Sequence, residues 1–246
     1  LKVSMERPGI PPPLCGFLFP PSATPSQKTL FLRMLRRTTD NRYVFSIREA
    51  GMDAVIDDVY DHRADIGVIF LTELTEKIIR RLLDARDLDF HEIAAVSPCI
   101  YVRKGHPLAN RDEVTEEDLA GLPYVSFEHN QGVGTDYSEE YQLLSMKKPP
   151  RQISVNNRAT MMNVLAATDA YTTGSGLLVE GITSQAVVTM PLAGKTCIRI
   201  GWIRPRNSKL TPYVAQFVGL LDQSIAESIA FTESVHQSLC HSGADT

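Results

Sequence analysis

The sequence predicts an α/β protein of two lobes, and three observations carry that prediction. Apolar strand-like runs alternate with amphipathic helical runs from Tyr43 to Leu83, giving a β-α-β-α order that calls for a mainly parallel sheet. An extended run from Phe90 to Val102 is interrupted by Ser97-Pro98, and proline inside a strand marks an edge, a bend or a crossing between lobes. A second set of strands and helices follows, after which Cys197 to Ile203 returns as a strand beyond the Gly194 linker. With 246 residues, 43% of them hydrophobic, the chain supports buried cores without disulfides or metals.

Leu1 to Met5 reads as a first strand. The segment Glu6 to Ser26 holds seven of the fifteen prolines and reads as a long loop that cannot supply regular helix hydrogen bonds. Gln27 to Arg37 is helical, with Leu30, Phe31, Met34 and Leu35 on one face. Tyr43 to Arg48 is a strand, and Met52 to His62 a helix with Val55, Ile56, Val59 and Tyr60 inward. The run Asp65 to Phe70 is a buried parallel strand, and Glu73 to Leu83 a third helix. Thr115 with Asp118 three residues on predicts a short capped helix ending at Gly121, followed by strand Tyr124 to Phe127. The turn Gly132 to Thr135 leads into a helix from Asp136 to Met146. Strand Gln152 to Val155, helix Arg158 to Ala167 and strand Tyr171 to Thr173 come next, and Ala186 to Leu192 precedes the second linker. Thr211-Pro212 starts the last long helix, with Val214, Phe217, Val218, Leu221 and Ile225 as its buried stripe against the first lobe. The domain reading is residues 1–96 as the first part of lobe I, 97–196 as lobe II, 197–231 as the return to lobe I, and 232–246 as a frayed C-terminal tail.

The net charge of −4, with 25 Lys and Arg against 29 Asp and Glu, gives no overall electrostatic reason to bind DNA. Arg33, Arg36 and Arg37 read as the solvated face of a helix rather than a phosphate patch. Cys15, Cys99, Cys197 and Cys240 are far apart, without zinc-type spacing, and read as reduced thiols. No apolar run approaches the ~20 residues of a membrane helix, and no secretory signal stands at the start, so a cytoplasmic location without membrane attachment is expected. There is no HExxH, Walker A loop, GxSxG elbow or GxGxxG opening a helix. Gly132-Val133-Gly134 is a turn, and His236, Cys240 and His241 lack a fourth ligand. The expectation is therefore no enzyme, no metal and no cofactor.

Three segments, in their order and spacing, resemble the effector-binding (substrate-binding) domain of LysR-type transcriptional regulators. They are Ala64-Asp65-Ile66-Gly67-Val68-Ile69, Gly105-His106-Pro107-Leu108-Ala109 and Glu117 to Val125, within a resemblance running from about Arg42 to Ile229. It implies a type II periplasmic-binding-protein-like fold, two Rossmann-like lobes joined by two crossover strands. It also implies a small-molecule effector in the interlobe cleft and an antiparallel homodimer built from first-lobe and second-lobe helices, with a higher oligomer in the full-length protein. DNA would be contacted only through an N-terminal winged helix-turn-helix that this sequence lacks, so the chain, which begins without methionine, reads as a fragment of a longer regulator. The long Glu6 to Ser26 segment departs from the family's short first loop. A type II solute-binding protein of a transporter is the alternative, and an enzyme on the same architecture a third reading.

Strand carboxyl ends and helix N-termini carry unpaired N–H groups, so they hold a small carboxylate without a dedicated cation. On the first lobe these positions are Ser22, Thr24, Met52, Phe70, Leu71 and Thr72; on the second they are Phe127, Glu128, His129, Asn157, Arg158, Thr160, Thr172 and Thr173. Each has a competing role. Thr24 and Asn157 serve equally as plain N-caps, His129 and Arg158 as a surface histidine and a helix-end ion pair, and Phe70 and Phe127 as core. Met161-Met162 offers an adaptable pocket wall or core filling.

Overall fold

The computed structural model describes residues 3–4, 15–19, 27–38, 44–127, 149–178, 186–194 and 197–242. In chain order the elements are β1 (Val3–Ser4), β2 (Cys15–Phe19), α1 (Gln27–Arg37), β3 (Val44–Glu49), α2 (Met52–Tyr60), β4 (Ile66–Leu71), α3 (Glu76–Ala85), β5 (Leu88–Val96), β6 (Cys99–Arg103), β7 (Tyr124–Phe127), β8 (Gln152–Val155), α4 (Arg158–Ala167), β9 (Thr172–Gly174), β10 (Val187–Pro191), β11 (Ile198–Pro205) and α5 (Pro212–Ser242). They fall into two compact units: Leu1–Ala95 with Arg199–Ile225, and Val96–Ile198 with Ala226–Thr246.

The first unit is built on a sheet of order β1-β3-β2-β4-β11-β5. Its middle is parallel, with Phe17 opposite both Ile47 and Ile66, while β1 on β3 and β11 on β4 are antiparallel. Strand β2 lies inside the segment read as a long loop. The five residues Cys15 to Phe19 are free of proline, and Pro13 and Pro20 stand just outside them, so a central strand fits where a helix does not. The expected first strand near Leu1 to Met5 is the two-residue edge pairing β1. Gly67 lets α2 lie close on the sheet: a Cβ there would stand 2.5 Å from Val55 Cγ1 and 3.1 Å from Val59 Cγ2. Asp58, buried on α2, is neutralised by Arg48 from β3 and by Arg63, whose Nε donates to it at 2.6 Å.

In the second unit β10, β6 and β9 pair antiparallel, and β7 pairs parallel with β8. A parallel bridge between Tyr124 and Tyr171, with Val125 N–H donating to Tyr171 O at 2.8 Å, ties β7 to the start of β9. Strands β7, β8 and β9 therefore end on the same edge. Alternation along the strands splits the core between the two faces. Ile100, Val102, Tyr124, Tyr171, Val188 and Met190 gather in one cluster, while Tyr101, Val125, Phe127, Val155 and Val187 join Met161 and Leu165 of α4 in the other.

Two helices differ from the sequence reading. Thr115 and Asp118 do exchange hydrogen bonds, Thr115 N–H donating to Asp118 Oδ2 at 3.0 Å and Asp118 N–H to Thr115 Oγ1 at 3.3 Å, but they close a turn and not a helix. Gly121, at φ +82°, and Pro123 end the segment before a helical ladder develops. Helix α5 continues to Ser242 instead of fraying after Phe231. Its extension is anchored by polar contacts that an apolar periodicity does not register: Thr232 and His236 both bond into the second unit. The expected turn at Gly132 to Thr135 and helix at Asp136 to Met146 lie outside the described residues. Among the described residues no helix is long and apolar enough to cross a membrane.

Candidate functional site

Parallel α/β units present their strand carboxyl ends and the following helix N-termini on one edge, where backbone N–H groups are unpaired. On the first unit that edge is made by the end of β4 and the start of α2. Phe70 and Leu71 are buried strand residues, and Met52, also buried, opens α2 behind Gly51, which supplies no side-chain cap. Thr72 turns inward on its own loop: its N–H donates to Thr75 Oγ1 at 3.2 Å, and the two hydroxyls lie 3.0 Å apart. Ser22, Thr24, Glu128 and His129 lie outside the described residues.

On the second unit the structure brings Phe127, Asn157, Arg158, Thr172 and Thr173 to the common edge of β7, β8, α4 and β9. Asn157 acts as the N-cap of α4, Oδ1 accepting from Thr160 N–H at 2.9 Å, while its Nδ2 donates to Asn156 Oδ1 at 2.8 Å. Thr160 thus takes part through its backbone. Phe127 and Met161 are core residues, as is the partly buried Met162 packed beside them. No acidic residue occupies the first turn of α4, and Arg158 places a half-buried cation there. The N-terminal dipole and this guanidinium have the same sign, so the edge favours an anion.

The Thr173 and Tyr124 hydroxyls are hydrogen-bonded to each other, at 3.1 Å between oxygens. Thr172 differs: among the described residues its Oγ1 is buried without a hydrogen-bond partner, and so is Ser175 Oγ just beyond β9. A buried hydroxyl left unpaired costs about 1–3 kcal/mol, so Thr172 at the start of β9 and Ser175 just past its end are candidate groups for holding a ligand. Ser175 escaped the sequence reading because Gly174-Ser175-Gly176 reads as a turn; a lone hydroxyl between two glycines at a strand end was the available signal. Gly176 has φ +73°, and a Cβ on it would stand 2.5 Å from Cys99 Sγ. Burial pushes that thiol up to about 12, so it is a packing group and not a nucleophile. Among the described residues no group of three or more His, Cys, Asp and Glu could hold a metal ion.

The Gly105 to Ala109 segment is a structural turn. Gly105 has φ +74°, and the buried His106 accepts Leu108 N–H on Nδ1 at 3.1 Å. Burial lowers the His106 pKa, with Asp169 opposing and Arg103 adding to the effect.

The backbone resembles solved regulators. Corynebacterium glutamicum OxyR C206 mutant matches with a TM-score of 0.61 at 14% identity, over 90% of this chain and 66% of that one. The reduced form of OxyR matches with a TM-score of 0.58 at 18% identity, over 85% and 94%. The effector binding domain of QuiR in complex with shikimate matches with a TM-score of 0.55 at 14% identity, over 87% and 97%. At these identities the likeness shows the fold, that of type II periplasmic binding proteins. No curated protein matches the sequence. The model of the LysR substrate binding domain matches residues 21–226, and the chain belongs to that family.

Proposed function

We propose that this effector-sensing domain of a LysR-type regulator recognises a small anionic metabolite whose carboxylate docks on the second unit at the ends of β7, β8 and β9. The observation that carries the reading is the pair of buried, unpartnered hydroxyls of Thr172 and Ser175 on the edge that also holds the N-terminus of α4. Each hydroxyl donates to a polar atom of the ligand, and Arg158 balances the carboxylate's charge. No bond is made or broken: occupancy acts by favouring one conformation, since a ligand with equal affinity for both would shift nothing. Homodimerisation, DNA contact through an N-terminal winged helix-turn-helix and a cytoplasmic location belong to the same proposal. The family match disfavours the transporter alternative.

Calorimetric titration with a panel of small carboxylic acids, shikimate among them because a structural neighbour holds it, tests the reading. Saturable binding is expected for at least one, weakened about tenfold by Thr172→Val and by Ser175→Ala. Binding indifferent to both substitutions would place the site elsewhere.

A further inference from the structure

We infer that Thr232 is a positioning residue for the effector site, acting through the loop Gly174–Leu178 that it holds against the second unit; this rests on the carboxylate reading of the β9 edge. Thr232 lies on α5, 54 residues along the chain from Leu178, and is buried. Its single hydroxyl serves the loop twice: Oγ1 accepts Leu178 N–H at 3.0 Å and donates to Gly176 O at 3.4 Å. Tyr101 adds one more tie, its hydroxyl donating to Leu177 O at 3.4 Å.

The loop also packs on Cys99, which Gly176 approaches too closely for any side chain. One helical turn beyond Thr232, His236 Nε2 lies 2.8 Å from Thr189 O and 3.0 Å from Thr189 Oγ1, so α5 is itself fixed to β10. The loop's placement is therefore set by the helix. Ser175 is adjacent to Gly176, so a shift of α5 along its axis carries that hydroxyl with it. Recognition groups must be held within about 0.5 Å of their working geometry, and Thr232 supplies that constraint from outside the ligand's reach.

Cys99 reads the loop directly, because the thiol is covered while Gly176 sits on it. N-ethylmaleimide labelling of Cys99, resolved by peptide mass spectrometry, is compared in the wild type, Thr232→Val and Thr232→Ser. The expected result is labelling at least about fivefold faster in the valine variant, which loses both of the hydroxyl's hydrogen bonds to the loop, and a return to within twofold of wild type in the serine variant. Hydrogen exchange in the wild type gives a reading that needs no variant: the Leu178 amide is expected to be protected. An unprotected Leu178 amide, equal labelling in wild type and valine variant, or failure of serine to restore the rate would overturn the proposal. Neither readout uses a ligand, so failure to bind any carboxylate removes the effector reading and leaves the Thr232 result standing.

Discussion

His106 shows how a residue can mark a family and still do structural work. Its neutral ring accepts Leu108 N–H in a buried turn, and a protonated ring cannot. Because the folded state lowers its pKa below 6.5, the unfolded chain takes up the proton first, and stability falls as pH drops through 6.5 toward the folded value. His91 shifts in the same direction, chiefly through burial and then through Arg204. We expect His106→Asn, which keeps an acceptor and removes the titration, to flatten the urea midpoint between pH 5 and pH 7 relative to wild type, leaving the part due to His91. An unchanged slope would remove His106 from the pH response. At this scale the sequence was legible where a residue type has one strong local use, as with Asn157 capping α4. It was not legible for Ser175, whose significance comes from burial without a partner, a property of its three-dimensional surroundings.

Among elements, periodicity located those that bury one face and missed those held by pairing or polar contacts. Strands β7 and β8 and helix α4 were legible to the residue, and β3, α2 and β4 within two residues at each end. Strand β2 was hidden by the prolines around it, although its neighbours β3 and β4 make it central. The edge strand β1 and the central strand β2 are therefore distinguishable by proline substitution. Leu18→Pro removes an N–H from the middle of the parallel trio and is expected to abolish cooperative unfolding of the domain, while Ser4→Pro in the edge strand β1 is expected to lower the Tm by only a few degrees. Circular dichroism during heating checks both, and equal tolerance would contradict a central β2.

At the level of the whole molecule, the chain passes from one compact unit to the other three times, at Ala95–Val96, at Ile198–Arg199 and at Ile225–Ala226. The sole tryptophan, Trp202, lies in the first unit, buried and stacked on His91 with centroids 4.2 Å apart. Because two strands and a helix continue across the divisions, we expect Trp202 emission and far-ultraviolet circular dichroism to report one urea midpoint; separated midpoints would show that the units unfold independently. The proposed homodimer has its own check. Leu32 is 53% exposed on α1, and light scattering is expected to give a dimer mass that Leu32→Glu moves toward the monomer. The threefold passage also governs the order in which the protein can be made. As the chain leaves the ribosome, β4 emerges long before β11, the strand that finally covers its open side, so a row of unpaired backbone groups waits through synthesis of the first stretch of the second unit, Val96–Ile198. That second unit in turn lacks Thr232 and His236 until the far part of α5 has been made, after β11. Each unit is thus completed only after most of the other has been made, and the nascent chain is most open to misassociation while β4 stands bare.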